Sequence, residues 1–376
     1  MKLPLEGIRI LDMSHMLPGP FCTMLLADMG AEVIKIERPG VGDSFRHRPP
    51  LIDGEGSAFL LLNRGKKSCA LDLGREADRE RFMELARSAD VLLEQFKPGV
   101  VQRLGIDYQS LRKLNPALVY CSMSGYGQTG PYRNMPGHDV NYLSLSGVLD
   151  GIGKKGGAPS LAGIQIADIN GAQWAVIAIL LALMARGGSG EGQYIDLSIA
   201  DCMLPALSLF LSDYAATGSS LSRGETKSSG AYAYYNVYET ADGGFVSLGA
   251  AEPKFWENFC RLTGHEEWIA LQTAEGEAGQ ELVAQLRSLF LTRTRDQWRQ
   301  LLEDGDCCFT PVLSAEEALR DRHFRSRGMI AELTLPSGRQ VMNLAFPLKF
   351  SGMSPVEPAS PPACGQDNAE LFESKT

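Results

Sequence analysis

The feature that most narrows what this chain can fold into is the alternation of short apolar strand patterns with helical patterns in its N-terminal part. Ile8 to Met13 is a compact apolar run, Pro20 to Met29 has helical spacing, and Glu32 to Glu37 alternates as a strand does. This is a β-α-β opening. The rhythm continues with a strand at Ser68 to Leu73, a helix at Glu76 to Ser88, a strand at Val91 to Phe96, a short helix near Tyr108 to Leu114 and a strand at Leu118 to Ser124. Strands separated by helices predict a parallel, doubly wound α/β sheet. The first turn reads Asp-Met-Ser-His-Met-Leu-Pro-Gly-Pro rather than G-x-G-x-x-G, so the fold class does not bring a nicotinamide-dinucleotide site with it.

At 376 residues and 44% hydrophobic content the chain exceeds what one small core needs, which points to two domains. A net charge of -9 and a pI near 5.2 argue against nucleic-acid and membrane-surface partners. The eight cysteines show no C-x-x-C spacing and read as buried thiols of a reducing, cytoplasmic compartment. No signal-peptide pattern opens the sequence, and the closing Ser-Lys-Thr differs from the SKL address. Ala172 to Ala185 is 14 apolar or near-apolar residues, short of the roughly 20 needed for a bilayer. It predicts a buried helix in the core or at a subunit interface, punctuated by Asp168 and Asn170 at its start and Gly187-Gly188 at its end.

Further along, Gln193 to Ile199 reads as a strand and Met203 to Ala216 as a helix. The small polar stretch Gly218 to Gly230 then marks a linker or mobile loop. Tyr232 to Glu239 and Phe245 to Gly249 form a hairpin pattern across Ala241-Asp242-Gly243-Gly244, followed by helical segments to about Ala318. After Met329 come strands broken at Pro336-Ser337-Gly338 and an irregular Pro355 to Pro362. The expected domains are 1–217 with 330–376 as the large one, 218–230 as linker and 231–329 as a small α+β domain.

Three local features suit a phosphorylated, anionic ligand. From Lys35 to Lys67 seven basic residues face four acidic ones, a local +3 in an acidic chain, with Arg38 and Arg64 near the edge where open α/β sheets bind ligands. A solvated loop is the competing reading. Phe96-Lys97-Pro98-Gly99 sets an aromatic beside a cation on a rigid turn, and Ser124 to Pro131 is rich enough in glycine for backbone to approach a ligand. Ordinary turns explain both equally well.

Of five histidines, His138 lies in a polar cluster, Gly137-His138-Asp139-Val140-Asn141-Tyr142, and histidine suits proton transfer near neutrality. A lone histidine is more often a packing or surface residue. Asp168 interrupts an apolar run just before the long helix, which makes it an N-cap, a proton acceptor or an acyl nucleophile. Glu252, in Ala250-Ala251-Glu252-Pro253-Lys254, sits near a helix start and could orient the histidine. No H-x-x-H spacing suggests a metal site.

Taken in order, LEGIRILDMSHMLPGPFCTMLLADMGAEVIKIERPG, NRGKKSCALDL, FKPGVVQRLG, SGYGQTGPY, GHDVNYLSLSGVL, ADINGAQWAVIAILLAL and YYNVYETADGGFVSLGAAEPKFW resemble the class III CoA-transferase fold family over nearly the whole chain. Within it they resemble the 2-methylacyl-CoA racemases. The resemblance implies an interlocked homodimer, each chain having a Rossmann-like large domain built from both ends of the sequence and a small inserted domain. It implies an acyl-CoA thioester substrate in lipid metabolism, and no metal, nicotinamide or pyridoxal cofactor. Coenzyme A contacts carry over to Arg38, Arg64, Phe96, Lys97, Arg103, Asp139 and Tyr142, with Lys97 standing where relatives usually have arginine.

The motif Gly137-His138-Asp139-Val140-Asn141-Tyr142 has the racemase form, and Gly-Ala-Ala-Glu-Pro-Lys resembles the racemase glutamate segment. Ile-Asn-Gly-Ala-Gln after Asp168 is closer to many transferases. The racemase resemblance implies that His138 and Asp168 work on opposite faces of the α-carbon through an enolate-like intermediate, with Glu252 holding His138 and helix N-terminal amides after Asp168 as oxyanion donors. The transferase form implies an aspartyl anhydride at Asp168.

Overall fold

The computed structural model describes residues 2–220 and 222–373; Leu221 of the expected linker and the closing 374–376 lie outside it. Its elements in chain order are β1 (Arg9–Met13), α1 (Pro18–Asp28), β2 (Glu32–Glu37), β3 (Leu51–Ile52), β4 (Glu55–Gly56), α2 (Ser57–Leu62), β5 (Lys67–Ala70), α3 (Glu76–Arg87), β6 (Val91–Glu94), α4 (Val100–Leu104), α5 (Tyr108–Leu114), β7 (Val119–Ser124), α6 (Asp139–Leu145), α7 (Ile166–Ser189), β8 (Tyr194–Ser198), α8 (Ile199–Met203) and α9 (Ser208–Thr217). Then follow β9 (Tyr235–Glu239), β10 (Phe245–Gly249), α10 (Pro253–Thr263), α11 (Gly276–Phe290), α12 (Arg295–Leu302), β11 (Phe309–Pro311), α13 (Ala315–Arg320), α14 (Arg322–Ser326), β12 (Ile330–Thr334), β13 (Gln340–Leu344) and α15 (Asn368–Glu373).

Contacts divide the chain into two units. The first holds Met1–Ser146, Gly163–Ala206 and Arg322–Thr376, the second Gly147–Ala162 and Leu207–Asp321. Gly147–Ala162 and residues 207–217, read from the sequence with the large domain, therefore group with the second unit, and 322–329 with the first.

The first unit is built on six parallel strands in the order β5-β2-β1-β6-β7-β8. The chain winds outward from β1 through β2 to β5, then returns to the other side of β1 to lay down β6, β7 and β8. That reversal between β1 and β6 creates the switch point outside whose carboxyl ends ligands bind in such sheets. Covered on both faces, β6 is buried at all four positions and β7 at its first five. A core of Leu11, Ile34, Phe82, Leu92, Leu111 and Tyr120 lies against this sheet.

At the exits of β1 and β2, charge is buried in pairs. Asp12 meets Lys66 at 2.9 Å, Lys35 meets Asp43 at 3.0 Å and Arg46 meets Glu37 at 2.7 Å, all these side chains being at most 3% exposed. Lys66 also donates to the carbonyl of Pro20 and to Asn63 Oδ1, so its three N–H donors are all used. Removing one partner from such a pair strands the other's charge in the interior.

The long helix differs from expectation in three ways. It starts at Ile166, so Asp168 lies inside the first turn, not at the N-cap. It runs through Gly187-Gly188 and stops on Gly190, which takes a left-handed φ of 74°. It is buried along one side only, through Gly171, Ala172, Ala175, Ile179 and Ala182, where it packs on α1, α6, α8 and β7. Trp174, Ile177, Leu181 and Met184 form an exposed apolar stripe. By length and composition it would span a bilayer, as would Ile199–Thr217, yet the first is an integral layer of this unit. Where a single helix was expected from Met203 to Ala216, α8 ends at Met203, a 3-10 turn covers Leu204–Leu207 and α9 follows; Pro205, lacking an amide donor, marks the interruption.

The second unit has a three-stranded antiparallel sheet, β11-β10-β9, and the β9–β10 hairpin falls where the sequence put it. Its core stacks Tyr238 on Phe290 and Trp256 on Phe259, and the buried indoles of Trp256 and Trp298 donate to the carbonyls of Trp268 and Phe290. The stretch expected to be a linker is held within this unit. Arg223 donates from Nε to the Asp150 carbonyl at 2.7 Å and Lys155 pairs with Glu225 at 2.7 Å.

Candidate active site

His138 is presented by a close-packed turn. After β7 the chain passes through the glycine loop and returns at Pro136-Gly137 to begin α6, with His138 as its N-cap. The Tyr142 hydroxyl, one turn into α6, donates to the Gly137 carbonyl at 2.7 Å. A Cβ on Gly137 would come within 2.8 Å of both Tyr126 Oη and Tyr142 Cε1, and one on Gly125 within 2.6 Å of Tyr142 Oη. Both glycines are there for close approach rather than for backbone angle. Tyr126 stands edge-on to Tyr142, ring centroids 5.3 Å apart. Asn141 Oδ1 accepts the His138 amide at 2.9 Å, fixing the backbone while the imidazole faces outward.

Asp168 is tied to the same place by a cap borrowed from another helix. Gln165 stands at the N-cap of α7 without a side-chain bond, and Asp139 Oδ1 from α6 accepts the amides of Ala167 at 2.7 Å and Asp168 at 3.1 Å. A carboxylate suits the positive end of a helix. Because the capping residue follows His138 in sequence and the capped amide belongs to Asp168, one interaction holds both at a single locus. The Asp168 carboxylate itself is half-buried and has no hydrogen-bond partner among the described residues. Burial and the Asp139 charge push its carboxyl up to about 6, while His138 acts in the opposite sense.

These bonds also correct the expected oxyanion donors. The Ala167 and Asp168 amides serve Asp139, and the Ile169 amide, next after Asp168, donates to the Gln165 carbonyl at 3.2 Å. Helix amides at this end are therefore engaged. Glu252 belongs to the second unit, where it is the exposed N-cap of α10.

The residues read as coenzyme A contacts divide into free and committed ones. Arg38 is exposed directly after β2 and has no carboxylate partner among the described residues. After β6, Lys97-Pro98-Gly99-Val100 is a type II turn closed by the Val100 amide on the Lys97 carbonyl, with Gly99 at φ 86° in the position that demands it. Lys97 is exposed, Phe96 half-buried, and Arg103 Nη1 lies 3.6 Å from where a Cβ on Gly99 would be. Phe96, Lys97 and Arg103 thus belong to one turn and the short helix after it.

Arg64 is a correction. It is 3% exposed, and its guanidinium grips Asp28 through Nε and Nη2 and Asn343 Oδ1 through Nη1. A phosphate would have to displace a buried carboxylate, so its side chain is structural. Most of the local basic excess goes the same way, since Lys35, Arg46, Lys66 and Lys67 are all paired. Tyr142 and Asp139 support α6 and α7 as described.

Other features of the site escaped the sequence reading. Gln95 Oε1 after β6 and Ser124 Oγ at the end of β7 are buried at adjoining strand exits with no partner among the described residues, as groups awaiting a polar ligand are. Glu94, at the end of β6, is 1% exposed. A cleft of about 260 Å³ opens between the glycine loop and β8, lined by Tyr126, Thr129, Asp196 and Asp201 among others. Its lining includes neither His138 nor Asp168, and its two carboxylates suit phosphates poorly.

Comparison with known proteins agrees with this layout. A model of CoA-transferase family III matches residues 5–368. The chain is 34% identical to the alpha-methylacyl-CoA racemase of Mus musculus over 98% of its length and 92% of the mouse protein. It is likewise 34% identical to the succinyl-CoA:mesaconate CoA-transferase of Haloarcula hispanica, covering 98% of this chain and 96% of that one. The crystal structure of a CAIB/BAIF family protein from Brucella suis superposes with a TM-score of 0.85 at 31% identity, covering 99% of this chain and all of that one. A large parallel sheet with smaller antiparallel sheets, a ligand edge at the β1–β6 switch and these relationships together establish that the chain belongs to CoA-transferase family III.

Proposed function

We propose that this protein racemises 2-methylacyl-CoA thioesters at the α-carbon by two-base proton transfer, working as a homodimer. The observation that carries the reading is the Asp139 cap, which holds His138 and Asp168 at one locus. The thioester carbonyl acidifies the α-proton; one of the pair removes it, an enolate-like intermediate forms, and the other returns a proton on the opposite face. A carboxyl with its titration raised to about 6 suits either direction near neutral pH. Arg38, Lys97 and Arg103 would meet the phosphates and Phe96 the adenine, while Gln95 and Ser124 offer unpartnered polar atoms to the rest of the coenzyme. Beyond coenzyme A itself the chemistry requires no cofactor. Glu252, acting across the subunit interface of that homodimer, would orient His138. The exposed stripe Trp174, Ile177, Leu181 and Met184 on α7 supports pairing with a second copy.

A second reading is favoured by two observations. The Asp168 carboxylate has no hydrogen-bond partner among the described residues, as a nucleophile awaiting an acyl group would, and the transferase relative is as similar as the racemase. Asp168 would then attack the thioester carbonyl, expel the CoA thiolate and form an aspartyl anhydride; an acceptor carboxylate displaces the donor acid from the aspartyl carbonyl, and the waiting thiolate attacks the acceptor's acyl carbonyl, giving the new thioester and freeing Asp168.

One experiment separates the two. A single diastereomer of a 2-methylacyl-CoA is incubated with the protein in heavy water, without an acceptor acid, and followed by NMR. Racemisation predicts α-deuterium uptake with epimerisation, lost in both His138→Ala and Asp168→Asn. No exchange, with CoA transfer once a carboxylate is supplied, would replace the racemase reading by the transferase one.

A further inference from the structure

Glu94 has no place in the chemistry above, yet it ends the central strand that leads into the Phe96-Lys97 turn. Its Oε2 accepts the Phe96 amide at 2.7 Å and its Oε1 accepts the Ser122 hydroxyl of neighbouring β7. Ser122 Oγ in turn receives Gln128 Nε2 at 2.9 Å, and the Gln128 amide donates to Asp196 of β8 at 2.9 Å. One buried carboxylate therefore joins the turn after β6 to the glycine loop after β7.

We propose that Glu94 is a positioning residue for coenzyme A binding, setting the Phe96-Lys97 turn and the glycine loop in fixed relation through Ser122 and Gln128. The inference rests on the acyl-CoA reading of the strand exits, but on neither choice between racemase and transferase. The surroundings show why an ionisable group matters there. Groups that face it are the Tyr120 phenol and Cys121 thiol of β7 and the Tyr194 phenol of β8, all carrying titrations raised by burial and by its charge. Across the ladder on β1 it meets Met13. Among the described residues no lysine or arginine charge compensates it, and burial pushes its carboxyl up to about 7 against the hydrogen bonds from Ser122 and Phe96.

Protonation consequently changes the clamp near neutral pH. The ionised form accepts from both strand ends with charge-assisted bonds; the neutral form keeps one acceptor and turns the other oxygen into a donor toward Ser122, which already receives Gln128. Weaker bonds loosen the turn. Glu94→Gln has the same shape and mimics the neutral form.

The test is calorimetric titration of free coenzyme A into the full-length protein at pH 8 and pH 6. Wild type is expected to bind about fivefold more tightly than Glu94→Gln at pH 8, with the difference closing at pH 6. Titration of the coenzyme's own phosphate is common to both proteins and cancels in the ratio. Because an amide is less costly to bury than a lone carboxylate, the variant should melt no lower than wild type at pH 8, separating positioning from general support. Equal affinities at both pH values would overturn the proposal. Absence of coenzyme A binding by wild type would instead remove the acyl-CoA reading beneath it. Should Glu94→Gln not fold, Ser122→Ala serves: losing that hydrogen bond should move the pH midpoint of binding upward, and an unmoved midpoint overturns the role.

Discussion

The exit of strands β1 and β2 and the junction of α6 with α7 both take carboxylates out of water, and they treat them in opposite ways. At the strand exit Asp12 is fully buried, and burial alone would raise its titration; the charges of Lys66 and Lys35 with the hydroxyls of Ser14 and Thr23 more than offset this and hold it well below the usual carboxylate range. At the junction burial raises the titration of Asp168 and its like-charged neighbour Asp139 raises it further, with no lysine or arginine among the described residues to offset them. The first arrangement locks a charge in place as scaffold. The second leaves a carboxyl able to change protonation state near neutral pH, which is what proton transfer requires. Within one unit, the partner of a buried carboxylate separates structure from chemistry better than its depth does.

The largest expected effect breaks the comparison on the chemical side. Asp168→Asn should lower turnover of the acyl-CoA substrate by about 10²–10⁴-fold while the melting temperature does not fall, since that carboxylate has no hydrogen bond to lose. A large drop in stability would mean that Asp168 is scaffold after all. The converse change, Lys66→Met, should destabilise by about 3–5 kcal/mol in denaturant titration, because Asp12 is left charged and buried without its nearest cation.

A smaller contrast distinguishes two arginines that look alike in the sequence. Arg64→Ala should lower the denaturation midpoint by stranding Asp28, whereas Arg38→Ala should leave the midpoint alone and weaken coenzyme A binding about threefold at low salt, less at high salt. Equal effects on stability would show that exposure does not mark the ligand contact.

The smallest effect is in the pH dependence of stability. The folded chain holds Asp168 protonated up to about pH 6, against a reference value of 3.8, so between these values it binds more protons than the unfolded chain. Its contribution to stability must then fall as pH rises through that window, and the Asp168→Asn variant should lack the decline. Asp12 has the opposite sign: its contribution is present above the reference value and is lost only as pH drops further. Parallel denaturation curves for wild type and Asp168→Asn from pH 4 to 6.5 would contradict the raised titration.

Much of the fold was legible because local patterns carry it. Glu32–Glu37, Tyr108–Leu114 and Phe245–Gly249 have the boundaries their periodicity suggested, and the parallel sheet followed from strands that helices separate. Gly187-Gly188 do not end the helix: a Cβ at either would meet open space, and a helix packed along its other turns continues through them. The start of α7 was misjudged because its cap comes from Asp139 on another helix, a long-range bond that spacing does not reveal. Of the site, His138 and Asp168 stood out as polar residues in informative settings, and the H-D-x-N spacing held the signal for the reciprocal cap by Asn141.

The sequence by itself determined the strand and helix alternation and the family, since these depend on residue type and short-range order. Only the tertiary structure decided which charges are scaffold and which are free. Arg38 and Arg64, and Asp12 and Asp168, differ by the partners that distant segments bring to them, and a charge's availability depends on those partners and on its distance from water.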